Sequence, residues 1–373
     1  MSSEGARSVG ELAAALARRF PLEWAEAWDN VGLVAGDPDA RVTGVLVTLD
    51  ATAEAVERAR GAGANVLVAH HPAYLQAPER VRVAAGPEGA LEAAIRTGVA
   101  LIHAHTNLDR APAGAEALSL ALGLTVVEPL ETSAQDVAVI TTFAPAEAAE
   151  ALRAAMSAAG AGRLGEYESC AFAAGGTGYF EPRVDTRPVV AGDGEGVAEV
   201  RLEMVSPPSR VDAVLEAARC VHPYEEPLII ATPGTRARGV ARLGRVCTWR
   251  EGATLGELAA HVGGVLGVSC RVWGDAARRV TRIAVANGSA GSVIGDALRS
   301  ADTLIAGEVR YHDALAASAT GLAIIEAGHD ATEWPIVAVL ARAVRETVGE
   351  ALPVIEELPA AGWWTTKEPH VAG

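Results

Sequence analysis

The sequence is poor in several residue types, and each shortage excludes a class of protein. Only four of its 373 residues are cysteines, and none forms a C-x-x-C pair, which argues against a zinc ribbon and against a disulfide framework. Lysine occurs once, at Lys367, and no run of basic residues is present. A chain of formal net charge −16 repels the phosphate backbone, so we do not expect a nucleic acid partner.

Long apolar runs are also missing. No uncharged apolar stretch reaches the roughly 18 residues that a membrane span needs. The N-terminal segment MSSEGARSVGELAAALARRF has an early glutamate and lacks the apolar region of a signal peptide. The sequence therefore predicts a cytoplasmic protein without a membrane span. Aromatic residues make up 4% of the chain and hydrophobic residues 50%, so the core must be built mainly from Ala, Val, Leu and Ile.

What the chain does contain is a regular alternation of strand and helix patterns, which favours a layered α/β core of two similar lobes. The middle of the chain reads as β-α-β followed by β-α-β, the order of a ferredoxin-like module. We therefore predict a first core segment at 1–126, an inserted ferredoxin-like domain at 127–243, and a second core segment at 244–373. The last segment ends in an irregular arm that carries Trp363 and Trp364.

Histidines and carboxylates follow three of the predicted core strands. They are His70 and His71, then His105 and Asp109, and finally His329 and Glu333. In open α/β sheets, ligands bind beyond the carboxyl ends of the strands. Three segments that are distant in sequence therefore each place histidine or carboxylate side chains where such sheets bind ligands. Imidazole and carboxylate together suit divalent zinc, iron, manganese or cobalt.

The spacing of these residues supports a shared site. His329 and Glu333 are four apart at a predicted helix start, which puts them on one helix face. A carboxylate in that position can bridge two metal ions. Adjacent histidines point apart in a strand, but at a strand end before Pro72 they could serve two ions.

Other candidates have simpler explanations. His103, His261, His312 and His370 are expected to be ordinary polar residues, and the four cysteines to be small buried hydrophobes. The segment NGSAGS could bind an anion through its backbone, yet it lacks the Walker lysine, and a tight turn is favoured. The segment HPYEEP at 222–227 is read as a structural turn, with ligand binding as the alternative.

Five ordered motifs together resemble one known family. They are WDNVGLVAGDP at 28–38, VLVAHHP at 66–72, AHTNLD at 104–109, GEVRYHDAL at 307–315 and GHDATEWP at 328–335. The family is the Nif-three-like family, whose members are often labelled GTP cyclohydrolase I type 2 homologues or dinuclear metal-centre hexameric proteins. The resemblance covers nearly the whole chain.

The resemblance implies a toroidal homohexamer with a two-metal site in each subunit. The matching ligands are His70, His71, Asp109, His329 and Glu333, with Glu333 bridging, and His105 matches a position close to the metals. The insert is similar to the PII-like or CutA-like domain of the longer members. No family counterpart matches the Trp363-Trp364 arm.

Three functions compete at this point. The first is a metal-dependent hydrolase, of cyclohydrolase or phosphoesterase type, that acts on a nucleotide or related small molecule with His105 as proton shuttle and Glu333 as bridge. The second is a non-catalytic metal-binding, metal-delivery or regulatory protein. The third, a DNA-binding protein, is suggested only by the family name, and the charge of −16 speaks against it.

Overall fold

The computed structural model describes residues 8–357 apart from 27, 77, 133, 166 and 182–195. Its contacts divide the chain into two compact units. Unit 1 combines Met1–Thr132 with Val240–Gly373, and unit 2 is Ser133–Gly239. The predicted arm with Trp363 and Trp364 lies outside the described residues.

The first half of unit 1 alternates strands and helices. In chain order it contains α1 (Val9–Arg19), β1 (Gly32–Ala35), β2 (Val45–Asp50), α2 (Ala53–Gly61), β3 (Val66–His71), α3 (Pro87–Thr97), β4 (Ala100–His103), α4 (Thr106–Arg110), α5 (Pro112–Ala121) and β5 (Thr125–Pro129). Helix α1 begins directly after Ser8, because Ser8 and Glu11 form a reciprocal capping box.

Unit 2 follows in the order strand, helix, two strands, helix, strand. Its elements are β6 (Ala134–Ala144), α6 (Ala149–Ala158), β7 (Phe172–Gly178), β8 (Val197–Ser206), α7 (Val211–Val221) and β9 (Ile229–Ala237). The strands form an antiparallel sheet in the order β7-β8-β6-β9. This element order is that of the ferredoxin-like pattern. The unit also has an apolar core of its own, centred on Ile140, Leu152 and Met156. The closer likeness to PII-like domains stays a prediction.

The second half of unit 1 resumes the α/β pattern. It contains β10 (Arg245–Thr248), α8 (Leu255–Leu266), β11 (Arg271–Trp273), β12 (Ile283–Val285), α9 (Ile294–Ser300), β13 (Thr303–Ala306), α10 (Tyr311–Ala319), β14 (Ala323–Glu326), α11 (His329–Val348) and β15 (Val354–Glu356). Among the described residues, no helix has both the length and the apolar character needed to cross a bilayer.

The described strands of unit 1 form two sheets with a common plan. The first has the order β1-β4-β3-β2-β15, and the second has the order β11-β14-β13-β12-β10-β5. In each, an antiparallel edge strand (β1 or β11) lies beside three consecutive parallel strands. The prediction of an α/β core is confirmed.

Helix α11 links the two sheets of unit 1. It continues directly from β14 of the second sheet, yet its apolar residues Ile336, Val337 and Leu340 are buried against Val45 and Val66 of the first sheet. Burying side chains of this size stabilises the arrangement by about 1.5–3 kcal/mol each. The start of α11, where two of the predicted ligands lie, is therefore anchored beside the strand ends of the first sheet.

Candidate metal centre

The structure brings together all six residues that the sequence singles out. Their donor atoms form three overlapping groups that could hold a metal ion, and within each group the atoms lie within 4.8 Å of one another. The groups are His70 with His71 and His105, His71 with His329 and Glu333, and His70 with Asp109 and Glu333. Each of the six residues belongs to at least one group, and Glu333 belongs to two.

His70 is held in the form that a metal ligand requires. It lies near the end of β3 with no solvent exposure, and its Nδ1–H donates to the carbonyl oxygen of Ala104 at 2.8 Å. This bond leaves Nε2 as the lone-pair nitrogen. Among the described residues Nε2 has no hydrogen-bond partner, and it lies 3.7 Å from Asp109 Oδ2. Burial lowers the pKa of His70 to about 3, so the ring stays neutral.

His71 lies between two carboxylates. Its Nδ1–H donates to Asp50 Oδ1 at 2.8 Å, and its Nε2–H donates to Glu333 Oε2 at 2.7 Å. Asp50 and His71 are paired in the register of β2 and β3, so the parallel sheet itself places the first contact. Burial alone would lower the pKa of His71, but the bonds to Asp50 and Glu333 raise it to about 10. A metal ion at Nε2 must therefore displace a proton.

The pKa values of the two buried carboxyl groups, Asp109 and Glu333, are shifted in opposite directions. Burial and the charge of Glu333 raise the pKa of Asp109 to about 7. Burial also opposes ionisation of Glu333, but hydrogen bonds with His329 and His71 hold its pKa well below the ordinary value. Asp109 Oδ1 is buried without a hydrogen-bond partner among the described residues. A cation beside Asp109 would satisfy that oxygen and restore its charge.

His329 is the first residue of α11 and the most exposed of the six, with 39% of its side chain accessible. Its Nε2 lies 3.2 Å from Glu333 Oε2, as its position one turn before that residue allows. Its Nδ1 lies 3.1 Å from Glu308 Oε1, so a carboxylate orients this ring as Asp50 orients His71. The bond to Glu333 raises the pKa of His329 to about 9.

His105 faces the same cluster from the start of α4. Its ring centroid lies 5.2 Å from that of His70 and 5.7 Å from that of His71. Asp29, whose side chain is fully buried, accepts a bond from His105 Nδ1 at 2.8 Å and further bonds from the backbone N–H and hydroxyl of Thr106. Burial raises the pKa of Asp29, but the bonds from His105 and Thr106 outweigh it and lower the pKa to about 2. Asp29 thus fixes the orientation of the His105 ring, whose Nε2 points away from Asp29.

The segment NGSAGS, favoured as a tight turn, packs directly on the cluster. Gly288 has φ +53, and a Cβ added there would lie 2.1 Å from Glu333 Oε1 and 2.9 Å from His329 Nε2. Gly307, after β13, is equally crowded, because an added Cβ would lie 2.7 Å from the Cα of His329. Gly288 lets its segment approach the Glu333 carboxylate, and Gly307 lets the chain after β13 approach the start of α11.

The remaining histidines lie outside these donor groups. His261 donates to the carbonyl oxygen of Leu122, and His222 bonds through both ring nitrogens, to Phe143 O and Tyr224 N, which makes HPYEEP a structural turn at that residue. His103 is buried with Nδ1 3.3 Å from Asn30 O. His312 is exposed, and His370 lies outside the described residues.

Sequence reasoning missed the three carboxylates that orient His71, His105 and His329. Features of the sequence could have drawn attention to these carboxylates. Asp50 ends a predicted strand, and Asp29 and Glu308 lie in the motifs WDNVGLVAGDP and GEVRYHDAL. Their partners could not be identified, because each contact joins residues at least 21 positions apart.

Comparisons with known proteins identify relatives over nearly the whole chain. A family model described as Duf34/NIF3 (NGG1p interacting factor 3) matches residues 7–357. A Mycobacterium tuberculosis protein named "GTP cyclohydrolase 1 type 2 homolog" is 36% identical over 353 residues, which is 91% of this chain and 92% of that protein. A Bacillus subtilis protein of the same name is 34% identical, over 83% of this chain and 84% of its own length.

A solved structure shares the fold over the full length. It is that of a Bacillus cereus protein related to NIF3, which is 30% identical, covers 100% of both chains and superposes with a TM-score of 0.64. A Staphylococcus aureus structure, at 25% identity, covers 96% of this chain and 98% of its own with the same TM-score.

Proposed function

The chain belongs to the Duf34/NIF3 family, and from this premise we propose that it binds two divalent metal ions and uses them to hydrolyse a nucleotide or a related small molecule. The proposed ligands are His70, His71, Asp109, His329 and Glu333. Because fold alone does not define an activity, the proposal is argued from the geometry of these side chains.

The observation that carries the proposal is the position of Glu333. Its Oε1 lies 3.9 Å from His70 Nε2 on the side of Asp109, while its Oε2 lies 2.7 Å from His71 Nε2 and 3.2 Å from His329 Nε2. Two donor atoms that share a tetrahedral ion at about 2.1 Å lie roughly 3.4 Å apart. On this spacing, His70, Asp109 and Glu333 would hold one ion, and His71, His329 and Glu333 would hold a second.

The local chemistry fits such ions. His70 Nε2 and Asp109 Oδ1 are buried polar atoms without hydrogen-bond partners among the described residues, a costly state that a cation would relieve. Histidine with carboxylate suits zinc, iron or manganese, and cellular availability decides among them. When bound, a pair of such ions polarises the substrate and lowers the pKa of a coordinated water.

His105 supplies the proton transfer in this proposal. Because Asp29 accepts a hydrogen bond from Nδ1–H, the lone pair of the ring is on Nε2, next to the ligand cluster. At that atom His105 can take a proton from the attacking water and return it to the leaving group. Asp29 acts through His105, and Glu333 acts by holding the two ions together.

Two reactions are compatible with this arrangement. The name of the relatives, "GTP cyclohydrolase 1 type 2 homolog", suggests hydrolytic opening of a purine ring at carbon 8. The same groups could hydrolyse a phosphoester, because both reactions need an activated water and a stabilised anionic transition state.

The proposal includes self-association into a toroidal homohexamer, as the family resemblance implies. Such an assembly would have room to cover exposed apolar side chains of unit 1, such as Ile95, Leu120 and Val127, which are 67%, 62% and 52% accessible. Light scattering should give six times the chain mass of 38.3 kDa.

Turnover by matched variants tests the hydrolase. Metal-loaded wild type should consume at least one of GTP, GMP and p-nitrophenyl phosphate, followed by purine absorbance and phosphate release. Glu333→Ala should lose at least about 100-fold in kcat, whereas replacing the exposed Glu251 by Ala should change nothing. If metal-loaded wild type consumes no member of a broad nucleotide and phosphoester panel, the hydrolase proposal is wrong and metal delivery is favoured.

A further inference from the structure

One large apolar side chain beside the metal centre has no role in metal binding. Trp28 is 54% accessible, although aromatic residues are scarce in this chain and are usually mostly buried. Its ring centroid lies 6.0 Å from that of His105, and the two planes are inclined at 71°. The rings of Trp28 and His105 are therefore steeply inclined to each other and are not stacked in parallel.

The chain next to Trp28 is anchored by hydrogen bonds. The next residue, Asp29, is anchored to His105 and Thr106, and its backbone N–H donates to the carbonyl oxygen of Glu26. Asn30 donates from its side chain to the carbonyl oxygen of Tyr74 at 3.2 Å. These bonds restrain the backbone that carries the indole, which reduces the conformational freedom that is lost when a ligand binds.

Trp28 lies close to the side chains that are proposed to take part in the reaction. Only the ring of His105 separates it from His70 and His71, whose centroids lie 5.2 and 5.7 Å from that of His105. A flat ring on Trp28 thus lies next to the candidate proton shuttle. A stacking contact needs no charge on the ligand. It is therefore less affected than an ionic contact by the acidic surface of a chain with net charge −16.

We propose that Trp28 is a stacking platform that selects substrates with a planar heteroaromatic ring, such as a purine base, and holds that ring beside His105 and the metal centre. This inference rests on the proposed hydrolase in one respect, which is that it calls the ligand of Trp28 a substrate. Trp28 is a specificity-determining residue here, and it neither binds metal nor transfers a proton.

Calorimetry with a matched pair of probes tests the platform. GMP and ribose 5-phosphate share sugar and phosphate but differ in the base. For GMP, Trp28→Ala should raise Kd roughly 5- to 150-fold, while Trp28→Phe should stay within a few-fold of wild type. Binding of ribose 5-phosphate should not respond to either change. Tyr179→Ala, at an aromatic residue in unit 2 that is 76% accessible, is the matched control.

Three results would overturn the inference. They are a GMP affinity that is equal in wild type and Trp28→Ala, no measurable GMP binding by wild type, and a lower particle mass of Trp28→Ala in light scattering, which would mean that a second copy covers the indole. Metal content is measured on the same samples. Trp28-dependent GMP binding by a protein that holds no metal would contradict the proposed hydrolase and leave the platform intact.

Discussion

At the scale of single residues, the candidate metal centre requires glycine at position 288, because a larger side chain has no room there. A methyl group at that position would lie 2.1 Å from Glu333 Oε1, so the carboxylate would have to move. We expect Gly288→Ala to weaken metal binding roughly 10- to 100-fold, as other changes that misplace ligands do. Competition with a chromophoric chelator measures this affinity.

Gly291 provides the control for that substitution. It lies in the same segment, but an added Cβ there would meet only Ser289 Oγ, at 3.9 Å. Gly291→Ala should therefore bind metal like wild type. Equal losses in both variants would mean that the segment as a whole, rather than the contact with Glu333, is what the metal centre requires.

A second residue-scale prediction concerns Asp29 and pH. Its folded pKa of about 2 lies below the ordinary value of 3.8, so its contribution to stability is present above about pH 4 and is lost as the pH falls towards 2. At pH 7, Asp29→Asn should lower the free energy of unfolding by about 1–2 kcal/mol. Urea titrations of EDTA-treated protein should show this gap shrinking below pH 4.

Replacing the exposed Asp136 by Asn is the comparison, and this variant should have the same free energy of unfolding as wild type at pH 7. A gap between wild type and Asp29→Asn that stays constant from pH 7 to pH 3 would contradict the ionic role of Asp29. It would instead indicate that only the shape of the side chain matters.

At the scale of elements, the strands that carry the site could be predicted and the elements that orient it could not. The runs before Asp50, His70 and His105 are apolar and bounded by helical patterns, so their type followed from periodicity, although β3 includes both His70 and His71. Strand β1 has no clear signal in the sequence, because it is four residues long, begins at Gly32 and is followed by Gly36, and its antiparallel partner β4 is distant in the chain. Helix α4 has five residues and no side-chain cap, so it left no local signal.

The packing of α11 on the first sheet also could not be predicted from local sequence pattern. The sequence predicted that His329 and Glu333 begin a helix, but nothing in that segment says which sheet the helix covers. The structure answers this through Ile336, Val337 and Leu340, which pack on the first sheet. Periodicity identifies an apolar face, whereas its partner is decided by tertiary packing.

At the scale of the whole molecule, the candidate ligands all lie in unit 1, and unit 2 enters the chain as an insertion. The backbone N–H of Glu131 donates to the carbonyl oxygen of Leu243 at 3.0 Å, so the two points of insertion are adjacent. Replacing 133–239 by a short Gly-Ser linker should therefore leave the metal centre intact. Metal content and far-ultraviolet circular dichroism of this variant check the expectation, and a folded variant that binds no metal would contradict it.

The central claim is that Glu333 joins two metal sites in one chain. Its most direct test is the metal-to-protein ratio, measured by plasma mass spectrometry after EDTA treatment, reloading and removal of free ions. We expect two equivalents per chain for wild type and for the exposed control Glu251→Gln, and at most one for Glu333→Gln, which keeps the size of the side chain but removes its charge. Fewer than one equivalent in wild type, or two in Glu333→Gln, would contradict the claim.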